Sequence, residues 1–303
     1  MKTIHALQAR PFIKWVGGKT QLLKDIEGML PSNISTWENA TYVEPFVGGG
    51  AVLFWILQKF PNIKTAIIND INVELICTYR VIQSDVENLI AELKKMESEY
   101  LSYNDAGRKE YYLVKRKLYN SKSCSQVLTA ALFIFLNRTC FNGLYRVNSK
   151  GEFNVPHGRY VNPKICDEEL LYLDSTILQR VKILCGDFSQ TGQYADSNTI
   201  YYFDPPYRPL SETSSFTSYS KGGFDDDEQK RLRDFCEEIA SKNAHFIASN
   251  SDPLNINDDD RFFDDLYERF LIKRVNAARM INSKGDRRGP VSEIIISNNL
   301  SFL

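Results

Sequence analysis

The most constraining feature of the chain is a strand–turn–helix–strand succession near its start. Thr41-Tyr-Val-Glu44 reads as a short strand, Pro45-Phe-Val-Gly-Gly-Gly50 as a tight turn, Ala51 to about Phe60 as a helix, and Thr65-Ala-Ile-Ile-Asn69 as a second strand ending at Asp70. A strand that returns beside its predecessor through a helix pairs with it in parallel, and a parallel sheet needs helices over both faces. The pattern resumes after about residue 178. Val181-Lys-Ile-Leu184, Thr199-Ile-Tyr-Tyr-Phe203, Phe246-Ile-Ala248 and Ser292-Glu-Ile-Ile-Ile-Ser297 are apolar runs of strand length, and Asp225 to Ser241 is a charged amphipathic helix with an acidic start. Strands interleaved with helices predict an α/β fold with a doubly wound, mostly parallel sheet.

The middle of the chain does not follow this alternation. A helix is expected from Asn72 to about Tyr100, with a break near Ser84, and residues 106 to 137 read as helical. Residues 138 to 164 are rich in Asn, Gly and Arg and predict an ordered loop or hairpin. Charge also concentrates here. Between Arg108 and Lys164 there are 11 Lys and Arg against 2 Glu, a net +9 over 57 residues, which leaves −10 for the rest of a chain whose total is −1. The neutral total therefore hides a basic segment suited to phosphate contact, although a solvated helical face has the same composition.

Several classes are excluded. At 303 residues, 43% hydrophobic and 25% charged, the chain has the make-up of a globular protein with a sizeable core. The longest nearly apolar stretch, Leu128 to Leu136, has nine residues, and a membrane-spanning helix needs about 20. The N-terminus carries Lys2, His5 and Arg10 without an apolar signal core, which argues against export. The six cysteines form no Cys-x-x-Cys pair and the three histidines are scattered, so no metal is expected and reduced thiols are the better reading.

Three motifs carry chemistry. In Phe46-Val-Gly-Gly-Gly50 the glycines allow a close backbone approach to a ligand, although a ligand-free turn uses the same residues. Asp70, at the end of the next strand, is placed to bind ribose hydroxyls or to cap the following helix. Asp204-Pro-Pro-Tyr207 is more specific. Two prolines end the strand Tyr201-Tyr-Phe203 and hold an extended turn at the sheet's carboxyl edge. A carboxylate and the Pro205 carbonyl can accept both hydrogens of an exocyclic amino group while the Tyr207 ring stacks on its base. A rigid turn with a capping Asp and a core Tyr is the plain alternative. Phe12-Ile-Lys-Trp-Val-Gly-Gly-Lys19 lacks the spacing of a nucleotide-triphosphate loop, and Trp15 with Lys19 suits the aminoacyl end of a cofactor better.

Together these residues resemble a known family. Lys14-Trp-Val-Gly-Gly-Lys19, Glu44-Pro-Phe-Val-Gly-Gly-Gly50, Asn69-Asp-Ile-Asn72, Asp204-Pro-Pro-Tyr207 and Phe246-Ile-Ala-Ser-Asn250 occur in the order found in the Dam-type, α-group DNA adenine-N6 methyltransferases. The likeness continues through Asn137-Arg-Thr-Cys-Phe-Asn-Gly-Leu-Tyr-Arg-Val-Asn148, Gly151-Glu-Phe-Asn-Val-Pro-His-Gly-Arg-Tyr160 and Pro209 to Tyr219, so it spans about residues 10 to 298. Relatives that methylate glutamine tend to have Asn where Asp204 stands, so the Asp favours a nucleic-acid amino group.

The resemblance implies a seven-stranded, Rossmann-like methyltransferase sheet with a helical and hairpin insertion for target recognition. Residues 1–75 and 165–303 would form the catalytic domain and 76–164 the recognition insertion. It implies methyl transfer from S-adenosylmethionine to adenine N6 in flipped-out duplex DNA, leaving S-adenosylhomocysteine. Asp204, Pro205 and Tyr207 would be catalytic. Trp15, Lys19, Phe46, Gly48, Gly50, Asp70, Asp187, Phe188 and Asp204 would hold the cofactor. Lys14, Arg138, Phe141, Asn142, Leu144, Arg146, Asn154, Pro156, Tyr160, Ser214 and Tyr219 would contact DNA, with Arg146 suited to guanine and Asn142 to an adenine edge. The hairpin resembles that of readers of GATC. A bacterial or phage-encoded enzyme acting as a monomer in the cytoplasm is implied, with a restriction endonuclease for the same site as a candidate partner. Another recognition sequence, an RNA substrate, or a DNA-binding relative without turnover remain as alternatives. Residues 208 to 224 are expected to form a flap over the target base, and 279 to 289 a second basic loop.

Overall fold

A computed structural model describes residues 8–208, 224–277 and 291–299. The expected flap and second basic loop lie almost wholly outside these residues. The sheet has seven strands: β1 (Ala40–Glu44), β2 (Ile63–Ile68), β3 (Val181–Ile183), β4 (Thr199–Phe203), β5 (His245–Ser251), β6 (Leu271–Ala277) and β7 (Val291–Ser297). Their order is β3-β2-β1-β4-β5-β7-β6. β1 pairs in parallel with β2 and β4, and β4 with β5, whereas β7 runs antiparallel to both β5 and β6. The mostly parallel sheet is as the alternation predicts. β6, with its mixed Leu-Ile-Lys-Arg-Val-Asn-Ala sequence, was not anticipated, because an edge strand paired on one side needs no continuous apolar run.

The chain packs as two compact units. One comprises Met1–Gly18, Val47–Lys59 and Asn69–Gly186, and the other Lys19–Phe46, Phe60–Ile68 and Asp187–Leu303. This division follows packing and does not coincide with the expected separation of residues 76–164 from 1–75 and 165–303.

The first unit is mainly helical: α2 (Ala51–Lys59), α3 (Val73–Ser84), α4 (Val86–Ser102), α5 (Asp105–Asn120), α6 (Gln126–Thr139) and α7 (Glu168–Leu178). The expected break near Ser84 falls at Asp85, whose φ of −149° and ψ of 48° interrupt the helix. The stretch 106–137 is two helices, not one, because Lys122 takes a positive φ of 55° and the Ser125 hydroxyl accepts the Leu128 N–H to start α6. α6 packs against α3, α4 and α5, which explains why Ala130 to Asn137 are all buried. Residues 140–158 form the expected hairpin-like loop, with isolated antiparallel bridges Cys140–His157 and Val147–Phe153.

The second unit carries six of the strands, with α1 (Leu23–Glu27) before β1, α8 (Asp226–Ser241) before β5 and α9 (Phe262–Leu266) before β6. All five residues of β4 are buried, as a central parallel strand requires. The Asp225 carboxylate caps α8 by accepting the Asp227 and Glu228 N–H groups at 3.1 and 3.0 Å. From β1 the strand order runs outward through β2, and from β4 in the other direction through β5, so the carboxyl ends of β1 and β4 flank a topological switch point. All six cysteines are free. Among the described residues no helix is long and apolar enough to cross a membrane.

Candidate functional site

In the first unit the site is built around the glycine turn. Gly48 and Gly50 have φ of 48° and 75°, a region that a side chain strains. Room is also lacking: a Cβ on Gly48 would lie 2.7 Å from Trp15 Nε1, and one on Gly50 2.5 Å from the Tyr79 hydroxyl oxygen. The Gly48 N–H donates to Asp70 Oδ2 at 3.1 Å and the Asn72 N–H to Asp70 Oδ1 at 2.9 Å. Burial pushes the Asp70 carboxyl above its ordinary value, and these backbone donors oppose it. Asp70 is not the cap of α3. That role falls to Asn72, whose side chain accepts the Leu75 N–H at 2.9 Å, and Asp70 retains lone pairs for a further donor. Trp15 closes over the glycines and stacks on Tyr145 with ring centroids 5.6 Å apart and planes 25° apart.

The same unit positions the expected DNA-contacting residues. The Asn137 amide accepts the Lys14 N–H at 2.9 Å and donates to the Lys14 and Gly143 carbonyls at 2.8 and 2.9 Å, which ties the N-terminal segment to the hairpin. Asn142 sits at the hairpin's bend with a positive φ of 55°. Phe141, Asn142, Arg146 and Pro156 are exposed, and Leu144, Asn154 and Tyr160 are half-buried. Arg146 Nε donates to Asn154 Oδ1 at 2.8 Å. The Lys14 ammonium lies over the Tyr160 ring, 4.8 Å from its centre. Arg138 is turned inward: Nη2 donates to the Phe12 carbonyl at 2.6 Å, and burial lowers its guanidinium pKa. Ser214 and Tyr219 lie outside the described residues.

In the second unit the Asp204-Pro-Pro-Tyr207 turn leaves the end of β4. Lys19, only 6% exposed, places Nζ 2.9 Å from Asp204 Oδ1. Burial raises the Asp204 pKa and Lys19 opposes the rise, while the nearby Glu293 carboxylate adds to it. The Lys19 ammonium also lies 4.6 Å from the centre of the Tyr207 ring. The Tyr207 hydroxyl donates to Glu293 Oε2 at 2.6 Å. The turn is further held by Gln229 Nε2, which donates to the Pro206 carbonyl at 3.2 Å, and by Asn250 Oδ1, which accepts the Arg208 N–H at 3.1 Å.

Phe46, Phe188 and Phe224 form a three-ring cluster in this unit, with Phe46 5.4 Å from Phe188 and 5.7 Å from Phe224. Arg231 donates to both oxygens of Asp187, at 3.0 and 2.8 Å, and its guanidinium lies 4.1 Å from the centre of the Phe188 ring. Arg231 holds the Asp187 carboxyl well below its ordinary value. Glu293, Phe224 and Arg231 in the second unit, and Tyr145 in the first, each touch an expected site residue of their own unit, although the sequence reading assigned them no role. Their relevance comes from side-chain contacts across the fold, such as the 86 residues separating Tyr207 from Glu293.

Comparison with known proteins gives a concordant picture. The family model described as D12 class N6 adenine-specific DNA methyltransferase matches residues 15–281. The type II methyltransferase M.MjaIII of Methanocaldococcus jannaschii is 50% identical over 295 residues, covering 96% of this chain and 100% of that protein. The type II methyltransferase M1.LlaDCHI of Lactococcus lactis subsp. cremoris is 41% identical over 300 residues, 97% of each chain. The DNA adenine methylase of Escherichia coli (strain K12) is 32% identical over 286 residues, 94% of each chain.

Proposed function

The chain belongs to the D12 class N6 adenine-specific DNA methyltransferases, and from that premise we propose that it methylates adenine N6 within GATC in duplex DNA, by flipping the base and transferring the methyl group directly. The observation that carries this reading is the Asp204-Pro-Pro-Tyr207 turn at the carboxyl end of β4, beside the switch point, with its carboxylate paired to Lys19. Methyltransferase membership implies S-adenosylmethionine as donor. The residues of each unit suit it: in the second, apolar rings at Phe46 and Phe188 and the Asp187 carboxylate, and in the first, the Asp70 carboxylate able to accept hydroxyl or amino hydrogens. Trp15, Lys19, Gly48, Gly50, Asp70, Phe46, Asp187, Phe188 and Asp204 are assigned to its binding. The group supplies an already activated methyl on a sulfonium.

Adenine N6 is a weak nucleophile because its lone pair is drawn into the ring. Asp204 and the Pro205 carbonyl would accept its two hydrogens and favour a pyramidal nitrogen. With Oδ1 held by Lys19, Oδ2 is the Asp204 oxygen available to N6. The carboxylate would then stabilise the positive charge that develops on N6 as the bond forms. Tyr207 would support the flipped base by stacking. The energy of unstacking, a few kcal/mol, would be offset by the pocket and by phosphate contacts.

Residues 76–164 are assigned the reading of DNA. The exposed Arg146, oriented through Nε by Asn154, can present its remaining guanidinium edge to guanine O6 and N7. Lys14, Phe141, Asn142, Leu144, Asn154, Pro156, Tyr160, Ser214 and Tyr219 are the other proposed contacts, whereas the inward turn of Arg138 onto the Phe12 carbonyl removes it from the set. A monomer acting in the cytoplasm is sufficient for one flipped base. Two of the similar proteins are named type II methyltransferases, which supports a restriction endonuclease for the same site as a genetic partner.

Incubation with labelled S-adenosylmethionine and duplexes with or without GATC tests this. Label confined to adenine of the GATC duplex is expected. Label on another sequence would overturn the specificity, and label on RNA alone, or tight DNA binding without label, would overturn the function.

A further inference from the structure

We propose that Glu293 on β7 is a positioning residue for methyl transfer, holding the Tyr207 ring at the orientation in which the target base stacks. The proposal rests on the reading of Tyr207 as that stacking surface. Two prolines fix the backbone leading to Tyr207, but they leave its side-chain torsions free to turn. The structure removes that freedom at the far end of the ring. The hydroxyl donates to Glu293 Oε2 at 2.6 Å, the length of a charge-assisted bond. Burial and the two nearby carboxylates keep the Tyr207 hydroxyl protonated, so it remains a donor.

The anchor itself is firmly placed. Glu293 is in register with Ser251 of β5 and with Val275 of β6, so its backbone is paired on both sides. An acid needed only for the solubility of a sheet end would have no reason to meet the hydroxyl of a catalytic-turn tyrosine. The same carboxylate raises the Asp204 pKa, so Glu293 touches the chemistry in two separable ways: through a hydrogen bond to Tyr207 and through its charge on Asp204.

The two effects are read with five variants of the full chain, assayed for methyl transfer to duplex DNA across pH. Glu293→Gln keeps an acceptor for the hydroxyl and removes the charge. It should retain kcat at alkaline pH while the acid limb of the profile moves to lower pH, because Asp204 ionises more readily. Glu293→Ala and Tyr207→Phe should each lower kcat about tenfold, the scale of one lost charge-assisted bond, and the double variant should be no worse than either. Tyr207→Phe leaves β7 untouched, so it decides the matter even where Glu293→Ala folds poorly. Full activity of Tyr207→Phe, or losses that multiply in the double variant, would overturn the proposal. So would a Glu293→Gln variant as impaired at alkaline pH as Glu293→Ala. Full activity in Tyr207→Ala would instead remove the stacking role of Tyr207, and the proposal with it, whereas an inactive Tyr207→Ala beside a fully active Glu293→Ala would reject Glu293 alone.

Discussion

Lys19 Nζ and Asp204 Oδ1 meet at 2.9 Å, a cation from the segment before β1 and a carboxylate from the turn after β4. The pair bears on the ionisation of the proposed catalytic carboxylate. Burial alone would favour the neutral acid, and an acid that carries its own proton is a poor acceptor for an amino group. Lys19 works against that tendency.

Replacing Lys19 with Met should therefore raise the acid limb of the pH–rate profile, because Asp204 loses the charge that favours its ionised form. Activity requires the carboxylate, so it is lost as pH falls through the Asp204 pKa, and the loss begins at a higher pH in the variant. Asp204→Ala should lower kcat by about 100-fold or more at every pH, as removal of one preorganised electrostatic group does. Methyl transfer measured from pH 5 to 9 checks both.

Gly48→Ala should weaken cofactor binding before it unfolds the protein. The new methyl group would collide with Trp15 Nε1, and φ of 48° adds strain of about 1–3 kcal/mol. Titration with S-adenosylhomocysteine, followed by calorimetry, should show a raised Kd together with a lowered Tm.

Arg146→Ala should relax discrimination at one base pair, with a cost of about 1–3 kcal/mol on the preferred sequence. Asn154→Ala should act in the same direction and less strongly, since it frees Arg146 Nε without removing the guanidinium. Rates on a set of singly substituted duplexes check this; an equal loss on all of them would remove the direct reading role.

Asp174 offers a stability test remote from the chemistry. It is fully buried, Oδ1 accepts the Arg10 N–H at 3.1 Å, Oδ2 has no hydrogen-bond partner among the described residues, and burial pushes the carboxyl up to about 8. The folded form therefore holds a proton that the unfolded chain releases near pH 4. Stability should fall as pH rises from about 4 to about 8, and Asp174→Asn should flatten that slope. Urea midpoints at pH 5, 6.5 and 8 check it.

The parallel sheet, the glycine turn and the Asp204-Pro-Pro-Tyr207 turn were legible because each depends on contiguous residues: an apolar run, a positive-φ position, a pair of prolines. The break at Lys122 was not, since a left-handed residue there is imposed by how α5 and α6 meet and Lys has no preference for it. The partners of the recognised residues were also hidden. Lys19 could be assigned to a cofactor from its motif, but its contact with Asp204, like those of Tyr207 with Glu293 and Asp187 with Arg231, exists only once distant segments are brought together.

The stack of Trp15 on Tyr145 bears on how such proteins diversify. Tyr145 directly precedes Arg146; its ring also packs against Phe133 and Phe153, while the Arg146 side chain is exposed. If Arg146 reads DNA as proposed, the outward residue can be exchanged, and the target with it, while the inward ring goes on supporting Trp15. On that reading, inheritance of the methylating machinery and drift of its target would be kept apart by a single peptide bond.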